Sequence, residues 1–227
     1  MKTWAVVLAS LIAMRVVAEP IKSADGRVIE ATVTAITETG ITIDRDGAKF
    51  DLAWDKLDKE QADDLQRTLY IKTSYDRFKN QTTVGTKKVK TTVTRGSGEV
   101  EVHVYDVLTG HVVRSNSRRV LFSISRQGSG WSWLNLSDTT MLLDGVKVPI
   151  TAKLGLTDVM DSGGVIEFVD SVVPDELFLR MVAAKKIEFQ VGTDEFALTD
   201  ETVAGFAWLA DMLHMKDSKP LAESLPK

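Results

Sequence analysis

The chain has 227 residues and a mass of 25.0 kDa, with 44% hydrophobic and 26% charged residues, fifteen glycines, five prolines and no cysteine. That composition excludes collagen-like, disordered and disulfide-scaffold classes, and the lack of cysteine excludes thiol catalysis. The net charge of −4 argues against a nucleic-acid binder, and the length allows one large domain or two small ones.

Residues 1–18 have the layout of a secretory signal: Lys2, an apolar run from Trp4 to Met14, then Val16-Val17-Ala18 before Glu19-Pro20. A membrane span needs roughly 20 apolar residues, and Arg15 interrupts this run too early for that. The expectation is cleavage after Ala18 and export to the periplasm or beyond. Nothing later is apolar for long enough to span a membrane.

Residues 20–70 read as short strands with tight turns, followed by a helix. Val28 to Ile36 is rich in β-branched residues, Ile41-Thr42-Ile43 alternates, and Asp46-Gly47 signals a hairpin before Lys49 to Trp54. Asp58 with Gln61 three positions later has the form of a capping box, which predicts a helix over 59–69. Such turn density suggests a small, strongly curved barrel.

The strings Ser23-Ala24-Asp25-Gly26-Arg27-Val28-Ile29-Glu30-Ala31, Gly40-Ile41-Thr42-Ile43, Phe50-Asp51-Leu52 and Lys56-Leu57-Asp58-Lys59-Glu60-Gln61 carry a resemblance. They resemble bacterial relatives of the SH3-like homology domain of the yeast endocytic adaptor Sla. The resemblance implies an SH3-like barrel and peptide or ligand binding, and it transfers no individual binding residue.

From 71 to 215 the texture changes to longer strands. Strands are expected at 82–94, 99–107, 119–125, 131–136, 140–143, 146–150, 165–169 and 186–190, with Asp144-Gly145 as a second hairpin signal. Pro174 opens a helix over 175–184, and Thr199 or Asp200 caps another over 201–215. The whole is expected to be mostly β, a small barrel followed by an antiparallel sandwich-like domain with two C-terminal helices. The tail at 216–227 reads as loose. Tyr75 to Lys79, Leu142 to Gly145 and Ile187 to Glu201 also resemble exported bacterial proteins that bring no known activity.

The chemistry-bearing residues are sparse. His103, His111 and His214 lie at no metal spacing and beside no nucleophile elbow. His103 and Tyr105 share one face of a strand next to Asp106, where a solvated histidine or a proton relay could sit. Asp44-Arg45-Asp46-Gly47 opens like a calcium loop, but Ala48, Leu52 and Asp55 stand where ligands are needed. No metal and no cofactor is expected.

Charge distribution says more. Residues 72–126 carry Lys72, Arg77, Lys79, Lys87, Lys88, Lys90, Arg95, Arg114, Arg118, Arg119 and Arg126 against four acids, whereas 127–227 hold twice as many acids as bases. Either a polyanion-facing surface or pairing between the halves would produce this asymmetry. Lys88, Lys90 and Arg119 are the basic candidates for a contact surface. Trp131 and Trp133, two apart, would share a strand face and either stack on a ligand or fill the core. The function expected is non-catalytic binding of a protein, a peptide or an anionic envelope polymer. A hydrolase of such a polymer, or a structural surface component, is the alternative.

Overall fold

The computed structural model describes residues 20–96, 98–111, 119–136, 139–161 and 163–215. The expected signal at 1–18, the tail at 216–227, and Arg114 and Arg118 lie outside the described residues. The chain divides into two compact units, Met1–Leu69 and Tyr70–Lys227. The architecture is mostly β, built of antiparallel sheets with three α-helices, two of them in the C-terminal part.

The first unit holds β1 (Ile21–Lys22), β2 (Val28–Ile29), β3 (Thr32–Thr37), β4 (Gly40–Arg45) and β5 (Ala48–Ala53), followed by α1 (Lys59–Tyr70). β3, β4 and β5 form a meander, and Asp46 and Gly47 both take positive φ, as the expected hairpin requires. β1 and β2 pair only as a ribbon, so the ladders do not close into a barrel. Besides β2, β1 meets only the start of α1 among the hydrogen-bonded elements of the described residues. Asp58 N–H donates to Lys22 O at 2.9 Å, and Lys22 N–H donates to Gln61 Oε1 at 2.7 Å. Asp58 caps the helix by accepting from Gln61 N–H at 3.3 Å, but the Gln61 side chain serves β1 instead of closing a capping box. Ile21, Val33, Ile41, Ile43, Leu57 and Ala62 form a core belonging to this unit.

The second unit begins with β6 (Ile71–Asp76), β7 (Gln81–Thr86), β8 (Val89–Thr92), β9 (Glu99–Thr109) and β10 (Arg119–Gly128). β11 (Thr139–Leu143), β12 (Val146–Val148), β13 (Ala152–Val159) and β14 (Val165–Pro174) follow. The unit ends with α2 (Asp175–Ala183), β15 (Ile187–Val191), β16 (Asp194–Ala197) and α3 (Asp200–Met212). A seven-stranded sheet runs β13-β14-β10-β9-β7-β6, with β8 also pairing to β9; a four-stranded sheet runs β12-β11-β15-β16. Asp144 and Gly145 form the second expected hairpin, both at positive φ.

Alternation decides which face of the large sheet is inside. Val100, Val102 and Val104 of β9, Val120, Phe122 and Ile124 of β10, and Val169 and Val173 of β14 are buried. Phe122 is the junction of this core: its ring stacks on Phe189 of the smaller sheet at 5.0 Å and meets Phe206 of α3 edge-on at 6.1 Å. The smaller sheet, α2 and α3 thus cover one face of the seven-stranded sheet.

Residues 131–136 are not a strand. Trp133 is 1% exposed, whereas Trp131 is 42% exposed, so the two indoles do not share a face. Polar partners bend the chain inward here. Glu167 accepts from Ser132 N–H at 2.9 Å and from Trp133 N–H at 2.7 Å, and Trp133 Nε1–H donates to Asp194 at 3.0 Å. Arg126 joins both acids, with Nε 3.3 Å from Asp194 and Nη1 3.7 Å from Glu167. Buried charges persist when paired in this way. The cluster links β10 and β14 of the large sheet to β16 of the small one.

No helix of the described residues is long and apolar enough to cross a membrane. Among the described residues, no group of three or more His, Cys, Asp or Glu is placed to hold a metal ion.

Candidate functional site

The opposite face of the seven-stranded sheet carries the residues that alternate with the core positions. Register aligns them in rows across the strands. His103 of β9 lies opposite Ser123 of β10, which lies opposite Asp170 of β14, which in turn faces Lys153 of β13. The next row holds Lys90, Glu101, Ser125 and Phe168. A third holds Gly85, Tyr105, Leu121 and Val172.

Two recesses open on this face. One, of about 290 Å³, is lined by Lys88, His103, Tyr105, Ser123, Leu156, Phe168 and Asp170, with Ser125 at its margin. The other, of about 270 Å³, is lined by Lys90, Glu99, Glu101, Ser125 and Gln127 beside Gly98. Ser125 belongs to both, so the two recesses adjoin as a groove over β8, β9, β10 and β14.

Backbone without a side chain makes room for two of the groove's polar groups. A Cβ on Gly85 would lie 2.6 Å from Tyr105 Cβ and 2.9 Å from His103 Nε2, closer than real side chains approach. Gly155 sits at the β-bulge of β13, and a Cβ there would collide with the Asp170 carboxylate.

His103 stacks on Tyr105, with ring centroids 4.9 Å apart and planes 17° apart. Burial, helped by the charges of Lys88 and Lys72, pushes its pKa down to about 4, so the imidazole is neutral at pH 7. Burial, with Asp170 nearby, pushes the Tyr105 phenol up. A neutral imidazole donates one hydrogen bond and accepts another. Lys88 reaches across the groove, with Nζ 5.8 Å from the Phe168 ring centroid and 3.8 Å from Glu101.

The candidates read from the sequence separate in the structure. Lys88 and Lys90 line the groove, but each lies beside an acid, Lys88 by Glu101 and Lys90 by Glu99 at 3.3 Å. Arg119 opens β10 opposite Pro174 and does not line the groove. Trp131 is exposed on the loop before β11, outside both recesses, and Trp133 belongs to the core. Ser123, Ser125, Leu156, Phe168 and Asp170 were not singled out from sequence. Alternation in β14 was the available signal, since Ile166, Phe168 and Asp170 fall opposite its buried positions.

Compared with protein-family models, curated proteins and solved structures, the chain matches none.

Proposed function

We propose that this chain is an exported, non-catalytic recognition protein that holds a component of a bacterial cell envelope in the groove of its seven-stranded sheet. The observation that carries the reading is the groove itself. Aromatic and aliphatic walls (Tyr105, Phe168, Leu156) surround a few fixed polar groups (His103, Ser123, Asp170), the usual make-up of a ligand cleft. The signal-like N-terminus supports export, and the likeness of residues 23–61 to a recognition module supports binding as the common theme.

A hydrolase of the same polymer is the second reading, favoured by the row His103, Ser123, Asp170. Against it stands the low basicity of His103: a general base works best with a pKa near the working pH, and this one is near 4.

The test is retention of the full chain by isolated envelope material, with Ser123→Phe to fill the groove. Retention that is lost in Ser123→Phe and kept in Trp131→Ala and Arg119→Glu supports the reading. Absence of retention contradicts it, and so does breakdown of the polymer that stops in His103→Gln.

A further inference from the structure

We infer that the groove is a saccharide site, taking two consecutive uncharged sugar units of a polymer, one in each of the recesses that meet at Ser125. The inference rests on the recognition reading above and names the ligand class of the same site.

Charge complementarity decides against an anionic ligand. Among the described residues, the cations over the groove are Lys72, Lys88, Lys90 and Lys153, and the acids are Glu99, Glu101 and Asp170. Lys88 and Lys90 lie within ion-pair distance of Glu101 and Glu99. His103 adds no charge at neutral pH. A polyanion therefore meets a nearly balanced field and gains little from long-range attraction.

What the groove offers instead is apolar surface in the first recess and hydrogen-bonding groups in both. Tyr105, Phe168 and Leu156 present flat or aliphatic walls in the first recess, and Leu156 is 71% exposed. Ser123, Ser125, His103 and Asp170 supply donors and acceptors there, and Gln127, Ser125, Glu99 and Glu101 do so in the second. A pyranose ring has this same division: C–H faces that lie against aromatic rings, and an equator of hydroxyls that each donate and accept. Each recess is slightly smaller than the lower limit for drug-sized ligand clefts, about 300 Å³, which suits a single ring. Their adjacency at Ser125 suits a chain.

The experiment titrates the full chain with chitohexaose, cellohexaose and maltohexaose as neutral probes and with polygalacturonate as the anionic one. At least one neutral oligosaccharide should bind, with an affinity unchanged between about 0.05 and 0.5 M NaCl. That affinity should fall about tenfold in Tyr105→Ala and in Phe168→Ala and stay unchanged in Trp131→Ala. Because Tyr105 is half-buried, Ser123→Phe provides a blocking variant that removes no packing, and thermal unfolding confirms the fold of each. Binding to none of the neutral probes overturns the inference. Salt-sensitive binding to polygalacturonate alone also overturns it, as does saccharide binding that survives the groove variants. If the protein is retained by envelope material yet ignores every neutral saccharide, recognition stands and the saccharide assignment falls. If it does neither, both fall.

Discussion

A free imidazole is near its midpoint just below pH 7, but His103 reaches its midpoint only at about pH 4 because burial and two lysines oppose its charged form. The unfolded chain binds this proton near pH 6.5 and the folded chain near 4. Stability therefore falls as pH drops through that window, and the loss is complete below it. After discounting for the partial exposure of the ring, the effect is on the order of 1–2 kcal/mol. Thermal unfolding between pH 7 and pH 4 should show a steeper decline for the wild type than for His103→Gln. Equal slopes would mean that His103 titrates normally. The Arg126 cluster makes a second prediction at this scale. Glu167 is 0% exposed and accepts two backbone hydrogen bonds while facing Arg126. Glu167→Ala should cost about 3–5 kcal/mol, because it leaves buried donors and charge without their acceptor. Chemical denaturation measures it, and a cost below about 1 kcal/mol would show that the cluster is not a strut.

At the scale of elements, local chemistry that acts within a few residues was legible in the sequence. The Asp-Gly hairpins at 46–47 and 144–145 form, and α1, α2 and α3 lie within a residue or a few of their expected bounds. Thr199 caps α3 by accepting from Thr202 N–H at 3.2 Å, so Thr199→Ala should destabilise the second unit by about 1 kcal/mol in the same denaturation assay. An unchanged midpoint would mean the cap is dispensable. What sequence did not reveal depends on partners far along the chain. β13 escaped notice because its bulge at Gly155 breaks the alternation of period two. Residues 131–136 alternate like a strand, but Glu167 and Asp194 recruit their backbone and the Trp133 indole into a buried loop. The groove was hidden for the same reason. His103 was visible as an outward residue of β9, while its neighbours Ser123 and Asp170 reach it only through the register of β10 and β14.

At the scale of the whole molecule, the seven-stranded sheet has two faces with two jobs. One is closed by the smaller sheet and by α2 and α3 around Phe122, and Phe122→Ala should cost about 3–5 kcal/mol through loss of buried ring contacts. The other carries the groove, where side chains are held in place by strands that the core makes rigid. We propose that this second face is where a ligand is held. Amide chemical shifts of the labelled full chain, recorded with and without soluble fragments of the envelope material that retains it, test that claim most directly. Changes confined to the outward positions of β8, β9, β10 and β14, centred on His103, Ser125 and Phe168, are expected. Changes centred on Trp131 and its loop, or on the first unit, with the groove undisturbed, would contradict it.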